Sequence, residues 1–481
     1  MKKNIRLIII CAVVVAVLAG LLVFLSISKN DTTAETPTAD TAETEVTTSL
    51  LYSNKLDDLA LLTIENEHGT YEVERVTADG QNVWTIMELS NLPLSNSIIT
   101  GLIENAISVT AQQTVAENPE DISIYGFDAP LATVTAQFSN SDNTVRKLYV
   151  GNKTPKGTAY YFMMEGDPAV YTVNVGEMSY YLNDKWAAVV KTVYPAAASE
   201  AVINKMTISR PDIDYDIVIE YDKRLDDENN MVTNSSLYVI TSPVFRELNP
   251  DTSDPVTNGV FGLTATELGI VNPDENDMVT CGITEPSAVL TVESDIGNLK
   301  LTIGNEIVDE LGNNGRFVYV EGIDIIYVFK KSLLPWLTVK PLEITTTMFT
   351  SNYIYDVTSV DITTADSKLD FEITGSNADD FAVTLDGQTA DPDAFKNLYQ
   401  FILRAPSSDV YFEETTVEPV LTIDIRTADG NDLIEFIPSD NRQSIIRLNG
   451  KVTYKCASAY VDRFISNLEL YKNGDDIVTN W

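Results

Sequence analysis

Residues 125–135, Tyr125-Gly-Phe-Asp-Ala-Pro-Leu-Ala-Thr-Val-Thr135, return later in the chain as Cys281-Gly-Ile-Thr-Glu-Pro-Ser-Ala-Val-Leu-Thr291. Gly126 and Gly282 are 156 positions apart, and so are Pro130 and Pro286. Leu148-Tyr-Val-Gly-Asn152 is answered by Leu301-Thr-Ile-Gly-Asn305, and Gly166 with Val170-Tyr171 by Gly322 with Ile326-Tyr327. Ordered matches along one diagonal are the signature of an internal repeat, which fixes the architecture before any local reading. A weaker third copy begins at Glu418-Pro-Val-Leu-Thr-Ile423, with the glycine lost.

Upstream of these blocks, Leu61-Leu-Thr-Ile64, Lys205-Met-Thr-Ile208 and Ser359-Val-Asp-Ile362 each open a strand-like stretch. A helix follows each. Ser95 and Asn96 cap the apolar face Ile98, Ile99, Leu102, Ile103, Ala106 and Ile107. Asp254-Pro255 and Asp391-Pro392 pair a cap residue with a first-turn proline, as helix starts prefer. The third helix carries Phe395, Leu398, Tyr399, Ile402 and Leu403 at the same spacing, whereas the second contains Gly259 and Gly262. Beyond the helices the period changes to two: Thr133–Phe138, Val289–Val292 and Leu421–Ile425 read as β-branched strands. His68-Gly69, Asp79-Gly80, Asp386-Gly387 and Asp429-Gly430 supply turns.

The expected fold is therefore α+β: three tandem sheet-dominated units, each strands, one helix, then an antiparallel meander. They span residues 50–198, 199–348 and a divergent 349–481, separated by an Ala-Ala-Ala-Ser stretch and a Thr-rich stretch. Ahead of them, Lys2, Lys3 and Arg6 precede an apolar run from Leu7 to Ile27, about the ~20 residues a membrane-crossing helix needs. Residues 1–29 are read as a cytoplasmic tip and transmembrane anchor, with the rest of the chain extracytoplasmic; the alternative is a cleaved signal peptide. Residues 30–49, Thr-, Ala- and acid-rich, read as a flexible stalk.

The chain of 481 residues has 71 acidic and 32 basic side chains, a net charge of -39. Nucleic acid is excluded as a partner, because phosphate binding needs clustered Lys and Arg. After residues 1–29, which hold four basic groups and no acid, 28 basic against 71 acidic groups leave -43 on the body. Such a surface repels anionic lipid and attracts cations or basic partners; the plainer reading is solubility.

One histidine and three cysteines (Cys11, Cys281, Cys456) cannot build a zinc cage. His68 sits at a hairpin tip without a positioned partner, and Gly-x-Ser-x-Gly is absent. Gly151-Asn-Lys-Thr-Pro-Lys-Gly157 lacks the phosphate-loop glycine before Lys-Thr and reads as a strand connection. Asp212, Asp214 and Asp216 alternate, which in a strand puts three carboxylates on one face; Ile217 and Lys223 stand where a calcium loop needs glycine and glutamate. Asp226-Asp227-Glu228 and Asn272–Asp277 read as loops. Cys281 and Cys456 are candidates for a disulfide, though nothing in the sequence fixes their separation. Tyr171 with Tyr327, and Trp186 with Trp336, recur as core residues would. A glycosidase needs only two carboxylates, and the sequence offers no way to choose the pair. No catalytic, cofactor-binding or metal-binding residue is assigned, and no cofactor.

Tyr-Gly-x-x-x-Pro with its Thr-x-Thr strand, Val-Gly-Asn-Lys-Thr, and Gly-Asp-Pro-x-Val-Tyr-x-Val together resemble the domain of unknown function 4340 family. The likeness is strongest over Leu61–Tyr194, recurs over Met206–Lys340 and fades in the third unit. The resemblance implies one N-terminal membrane span, an extracytoplasmic repeat region and, more loosely, association with an ABC transport system of the gliding-motility type. The expected function is a non-enzymatic, membrane-anchored extracytoplasmic scaffold or accessory protein, with envelope or transporter proteins as partners. The alternative is an extracellular ligand- or calcium-binding surface module.

Overall fold

The computed structural model describes residues 48–480, apart from 79–80, 198–200, 227–235, 309–311, 347, 351 and 429. The expected span Leu7–Ile27, Cys11, nearly all of the stalk, Asp79-Gly80, Asp227, Glu228 and Asp429 lie outside the described residues. Among the described residues, no helix is long and apolar enough to cross a membrane.

Alternating β-branched sequence produces three large antiparallel sheets, so the class is α+β. The first draws on β2 (Leu59–Asn66), β3 (Gly69–Ala78), β4 (Gln81–Ile86), β6 (Gln113–Ala116), β7 (Ala132–Phe138), β8 (Val145–Lys153), β9 (Ala159–Met164) and β10 (Val170–Asn174). Beside it, β1 (Ser49–Ser53) and β5 (Ser108–Ala111) form a two-stranded ribbon. The second sheet contains β11 (Ile203–Ser209), β12 (Ile217–Tyr221), β13 (Tyr238–Ser242), β14 (Arg246–Glu247), β15 (Glu267–Val271), β16 (Ala288–Ser294), β17 (Gly297–Val308), β18 (Asn314–Val320) and β19 (Ile325–Lys330). The third contains β20 (Val357–Thr364), β21 (Lys368–Thr374), β22 (Ala382–Leu385), β23 (Gln388–Ala390), β24 (Asp409–Val410), β25 (Leu421–Thr427), β26 (Asn431–Pro438), β27 (Gln443–Leu448) and β28 (Lys451–Ala457).

Their strand orders are β4-β3-β2-β7-β8-β9-β10-β6, β14-β13-β12-β11-β16-β17-β18-β19-β15 and β23-β22-β21-β20-β25-β26-β27-β28-β24. These are one plan repeated. A meander starts at the sheet's centre and steps to one edge, a helix carries the chain across, a short strand closes the opposite edge, and a second meander starts again beside the first strand. The central strands bury alternate residues: Leu62 and Ile64, Met206 and Ile208, Val360 and Ile362 are all fully buried, as period two requires. All three sheets have a register shift at the same place, after Leu59, Ile203 and Val357.

The crossover helices are α1 (Asn96–Ile107), α2 (Pro250–Thr257) and α4 (Pro392–Leu403), with α3 (Glu275–Thr280) between the last two and α5 (Ser458–Asn473) closing the chain. Ile99, Leu102, Ile103 and Ala106 of α1 are buried, and Asp391 caps α4 by accepting the Asp393 N–H, both as the sequence indicates. The second helix is a correction. It starts at Asn249-Pro250, where the Asn249 side chain accepts the Asp251 N–H, and Asp254-Pro255 lies inside it. Both Asx-Pro pairs satisfy the same rule, and Pro255 lies inside the helix, where it has no N–H for the Asp251 carbonyl, which fits a helix of only eight residues.

The repeated glycines explain a second shared feature. Gly126, with φ of 88°, packs against the Asn152 side chain, while Gly151 lies so close to the Tyr125 carbonyl that a Cβ has no room. Gly282 (φ 72°) and Asn305, Gly304 and Cys281 repeat this interlock. In both sheets the strand carrying Gly-Asn bulges there, between Val150 and Lys153 and between Ile303 and Glu306. The third sheet has neither glycine, and β26 pairs with β27 without a shift. Ile437 occupies that strand position and packs instead with Ile445 and Val452.

Linkers tie the units together. Val189 bridges to Leu94 just ahead of α1, and Thr345 bridges to Leu248 just ahead of α2, so each exit segment folds back in the same way. The first linker also pairs with the second unit: Thr192 bridges to Thr264, and Tyr194 donates to the Gly297 carbonyl at 2.6 Å. One apolar core runs from Tyr52 to Ile344 through the first two sheets, and the third sheet has a separate core to which Val244 contributes. Tyr327 and Trp336 are buried and Tyr171 and Trp186 half-buried, but the two tryptophans are not equivalent: Trp186 lies just before Val189, whereas Trp336 is farther from Thr345 and donates to the Val256 carbonyl.

Candidate functional site

The short strand β14 brings Arg246 to the joint between the second and third sheets. Its side chain is 8% exposed, its Nη2 donates to the Thr346 carbonyl at 3.2 Å and to the Met348 carbonyl, and its guanidinium lies 5.8 Å from the ring centres of both Phe349 and Tyr454. The buried Nε has no hydrogen-bond partner among the described residues. Burial pushes the Tyr454 hydroxyl up, and Arg246 pulls against that shift.

Beside Arg246 is a cavity of about 270 Å3, lined also by Arg224, Glu247, Asp432 and Lys451. Its acids are engaged. Glu247 accepts from Arg224 at 3.0 Å, and Arg224 is held above its ordinary pKa chiefly by Asp222, to which it bonds at 2.7 Å. Asp432 accepts from Asn352 at 2.9 Å and from Asn449 at 3.1 Å. Arg246 and Lys451 have no acidic partner within 4 Å among the described residues. In a protein of -39 this cavity is lined by three cations, Arg224, Arg246 and Lys451, against two carboxylates, Glu247 and Asp432, a local balance that suits a small anionic or carbonyl-bearing group. The residues around it form no pair of nucleophile and base. Sequence reasoning missed Arg246, because β14 is two residues long and its pairing with β13 has no periodic signal.

The residues weighed from sequence are scattered. His68 is on an exposed turn, its amide donating to Asn66 and its ring 3.6 Å from Glu67. Gly151–Gly157 joins β8 to β9, as expected. Asp212, Asp214 and Asp216 are a correction: they occupy the bend ahead of β12, which begins only at Ile217, so they do not share a strand face. Pro211 deprives that segment of an amide donor and delays pairing. Asn272–Asp277 is likewise more ordered than a loop, for Asp274 and Asp277 form a reciprocal capping box that starts α3. Among the described residues no group of three His, Cys, Asp or Glu is placed to hold a metal ion. Cys281, at the C-terminal end of α3, and Cys456, in β28, are free and buried in different units. Burial pushes the Cys456 thiol up to about 12 and raises Cys281, with Asp277 adding to the second shift.

Residues 84–236 match a family model described as Domain of unknown function (DUF4340). No curated protein and no solved structure matches the chain. The matched stretch is 153 residues, close to one repeat, but it begins in β4 and ends beyond β12. It thus takes the helix and second meander from the first unit and the opening strands from the next.

Proposed function

From a chain that carries a DUF4340 segment, we propose a non-enzymatic, membrane-anchored extracytoplasmic scaffold or accessory protein, serving an envelope transport system of the ABC type. The observation that carries this reading is the serial tying of the units. Thr192 pairs the first linker with Thr264 of the second unit, Arg246 adds a cationic clamp on the second linker, and Thr345 of that linker bonds Tyr454 of the third unit at 3.3 Å. Backbone pairing and a shared core restrict relative motion of neighbouring units far more than a free linker does. An anchored rod or block of this kind holds partners at a set distance from a membrane. The anchor rests on the apolar run Leu7–Ile27, and the transport association on the family resemblance.

Chemical crosslinking on intact cells, followed by mass spectrometry of the purified full chain, tests the proposal. Repeated recovery of one membrane-transporter subunit is expected. Recovery of none across replicate experiments rejects it.

A second reading, an extracellular ligand-binding module, is favoured by the cavity beside Arg246. Calorimetric titration of the full chain with citrate, Ca2+ and soluble glycans separates the two. Saturable heat lost in an Arg246→Leu variant that still melts cooperatively supports the second reading, and absence of heat with all three removes it.

A further inference from the structure

The three sheets differ at one edge. In the second, β14 pairs outside β13, and in the third, β23 pairs outside β22. The corresponding outer strand is missing from the first sheet, where β4 is the last strand and pairs only with β3 among the described residues. The cause is local. Leu94 and Leu248 are equivalent, so Pro93 stands where Glu247 stands; proline has no N–H for a ladder, and the turn Met87–Leu89 leads the chain off the edge. Alternate backbone groups along β4 therefore face outward without a strand to receive them.

Exposed edges are normally blunted by charge or proline. The strand Gln81-Asn-Val-Trp-Thr-Ile86 contains neither, in a protein with 103 charged side chains (71 acidic and 32 basic). Val83 is 41% exposed.

The repeat also reveals a missing charge. Register makes Leu61 and Glu74 equivalent to Lys205 and Glu220 in the second unit. There the lysine lies 3.7 Å from the glutamate. In the third unit the equivalent pair is Ser359 and Glu372, with no cation within 4 Å of that glutamate among the described residues, although neighbouring acids on the face are held, Asp370 by Lys368 and Asp361 by Arg426. In the first, leucine replaces the lysine, and Glu65, Glu72 and Glu74 share one face of β2 and β3 with no cation within 4 Å among the described residues. Val83 and Thr85 of β4 stand on that same face, with Thr85 directly opposite Glu74.

We propose that the β4 edge receives an extended, basic segment of a partner protein as a ninth strand, supplying the outer strand that the other two units provide for themselves and the cation that Lys205 provides in the second. Main-chain pairing would give the affinity, and alternate lysine or arginine side chains, lying over the acidic face about 10 Å from Glu74, the selectivity. A second copy of this chain is the disfavoured occupant, because it would bring another -39 to the same edge. The inference rests on the scaffold reading for the existence of a partner and adds that partner's chemistry.

The test uses the full-length chain in detergent and a fluorescent peptide of alternating lysine and valine. Its control has the same charge with proline at two central valines. Saturable binding of the first peptide, with slowed amide exchange confined to residues 81–86, is expected. Val83→Lys should weaken it about tenfold, Leu61→Lys should weaken it in the same direction by restoring the lysine of the second unit, and Val83→Thr should leave it intact; unchanged melting temperatures show that all three variants fold. Equal binding of the proline peptide, or protection spread over all three sheets, means charge attraction alone and overturns the proposal. So does concentration-dependent self-association that Val83→Lys abolishes, which assigns the edge to a second copy. The two readings fail separately: if Val83→Lys keeps every crosslinked partner of the wild type, the edge proposal falls and the scaffold stands, whereas peptide binding without any crosslinked partner removes the scaffold alone.

Discussion

The backbone N–H of Asn305 donates to the carbonyl oxygen of Cys281 at 2.8 Å, closing the loop ahead of β16 onto the bulge of β17. Gly304, next in line, has no space for a Cβ against that same carbonyl. Gly304→Ala must therefore push the loop off the strand, and the expected cost is about 1–3 kcal/mol, as for other overpacked sites. Urea titration of the variant checks it. The divergent unit should be sensitive to the opposite change in size: Ile437 fills a buried cluster in place of the glycine, so shortening it through Ile437→Ala is expected to cost about 2–5 kcal/mol. A neutral result at both positions would mean that the interlock and its apolar substitute contribute nothing to stability.

Arg246 joins the second sheet to the linker that enters the third. Arg246→Leu leaves the carbonyls of Thr346 and Met348 without their donor, and loss of a buried partner costs about 1–3 kcal/mol. The effect should be local. Amide exchange is expected to speed up around residues 344–350 while the central strands β20 and β25 keep their protection. Arg246→Lys should recover only part of this, because an ammonium lacks the planar guanidinium that lies against two rings while its Nη2 serves both carbonyls. Uniform loss of protection throughout the third sheet would refute a role confined to the joint.

The sequence exposed more of the fold than of the site, and the reason is physical. Period-two burial at Leu62 and Ile64 or Ile423 and Ile425 is forced by the pleat, so it is written into composition along each strand. The Gly126–Asn152 interlock needs positive φ and a missing Cβ, and both leave glycine in the sequence at fixed spacing. The start of α2 was misplaced because two Asx-Pro pairs, Asn249-Pro250 and Asp254-Pro255, satisfy the same local rule and only tertiary contact chooses between them. Arg246 had no signal at all. Its importance comes from Phe349, Tyr454 and two carbonyls about a hundred residues or more away, and contacts of that range leave no period to read.

The two cysteines provide a check on burial. Only the thiolate reacts with maleimides, and burial keeps Cys456 protonated up to about 12 while also denying access. Native protein at mild alkaline pH is expected to label at neither Cys281 nor Cys456, and both should react once urea has unfolded the sheets. Mass analysis of tryptic peptides before and after unfolding reads the result. Rapid native labelling of Cys456 would mean that the third core opens far more readily than its packing indicates.

Buried tyrosines set the alkaline limit. Burial pushes the hydroxyls of Tyr71, Tyr327 and Tyr471 up to about 12, with Asp184 adding to the first and Asp391 to the third. In the unfolded chain the same groups ionise near their ordinary value of about 10. Between those two values the unfolded state binds fewer protons than the folded one, so stability falls as pH rises, by about 1.4 kcal/mol per pH unit for each hydroxyl. Tyr71 and Tyr327 share one core, so together they remove about 5–6 kcal/mol from it within the window of about 10 to 12, close to the whole stability of a marginal domain, while Tyr471 weakens the third core by about half as much. Exposed tyrosines should titrate first, and a second rise in tyrosinate absorbance should coincide with loss of the β-sheet circular dichroism signal. Tyr327→Phe removes one proton release and should make the fall shallower by one group, at the cost of the bond from Tyr327 to the Val190 carbonyl. A single smooth titration near pH 10 with the sheets intact would show that these hydroxyls reach solvent in the folded protein.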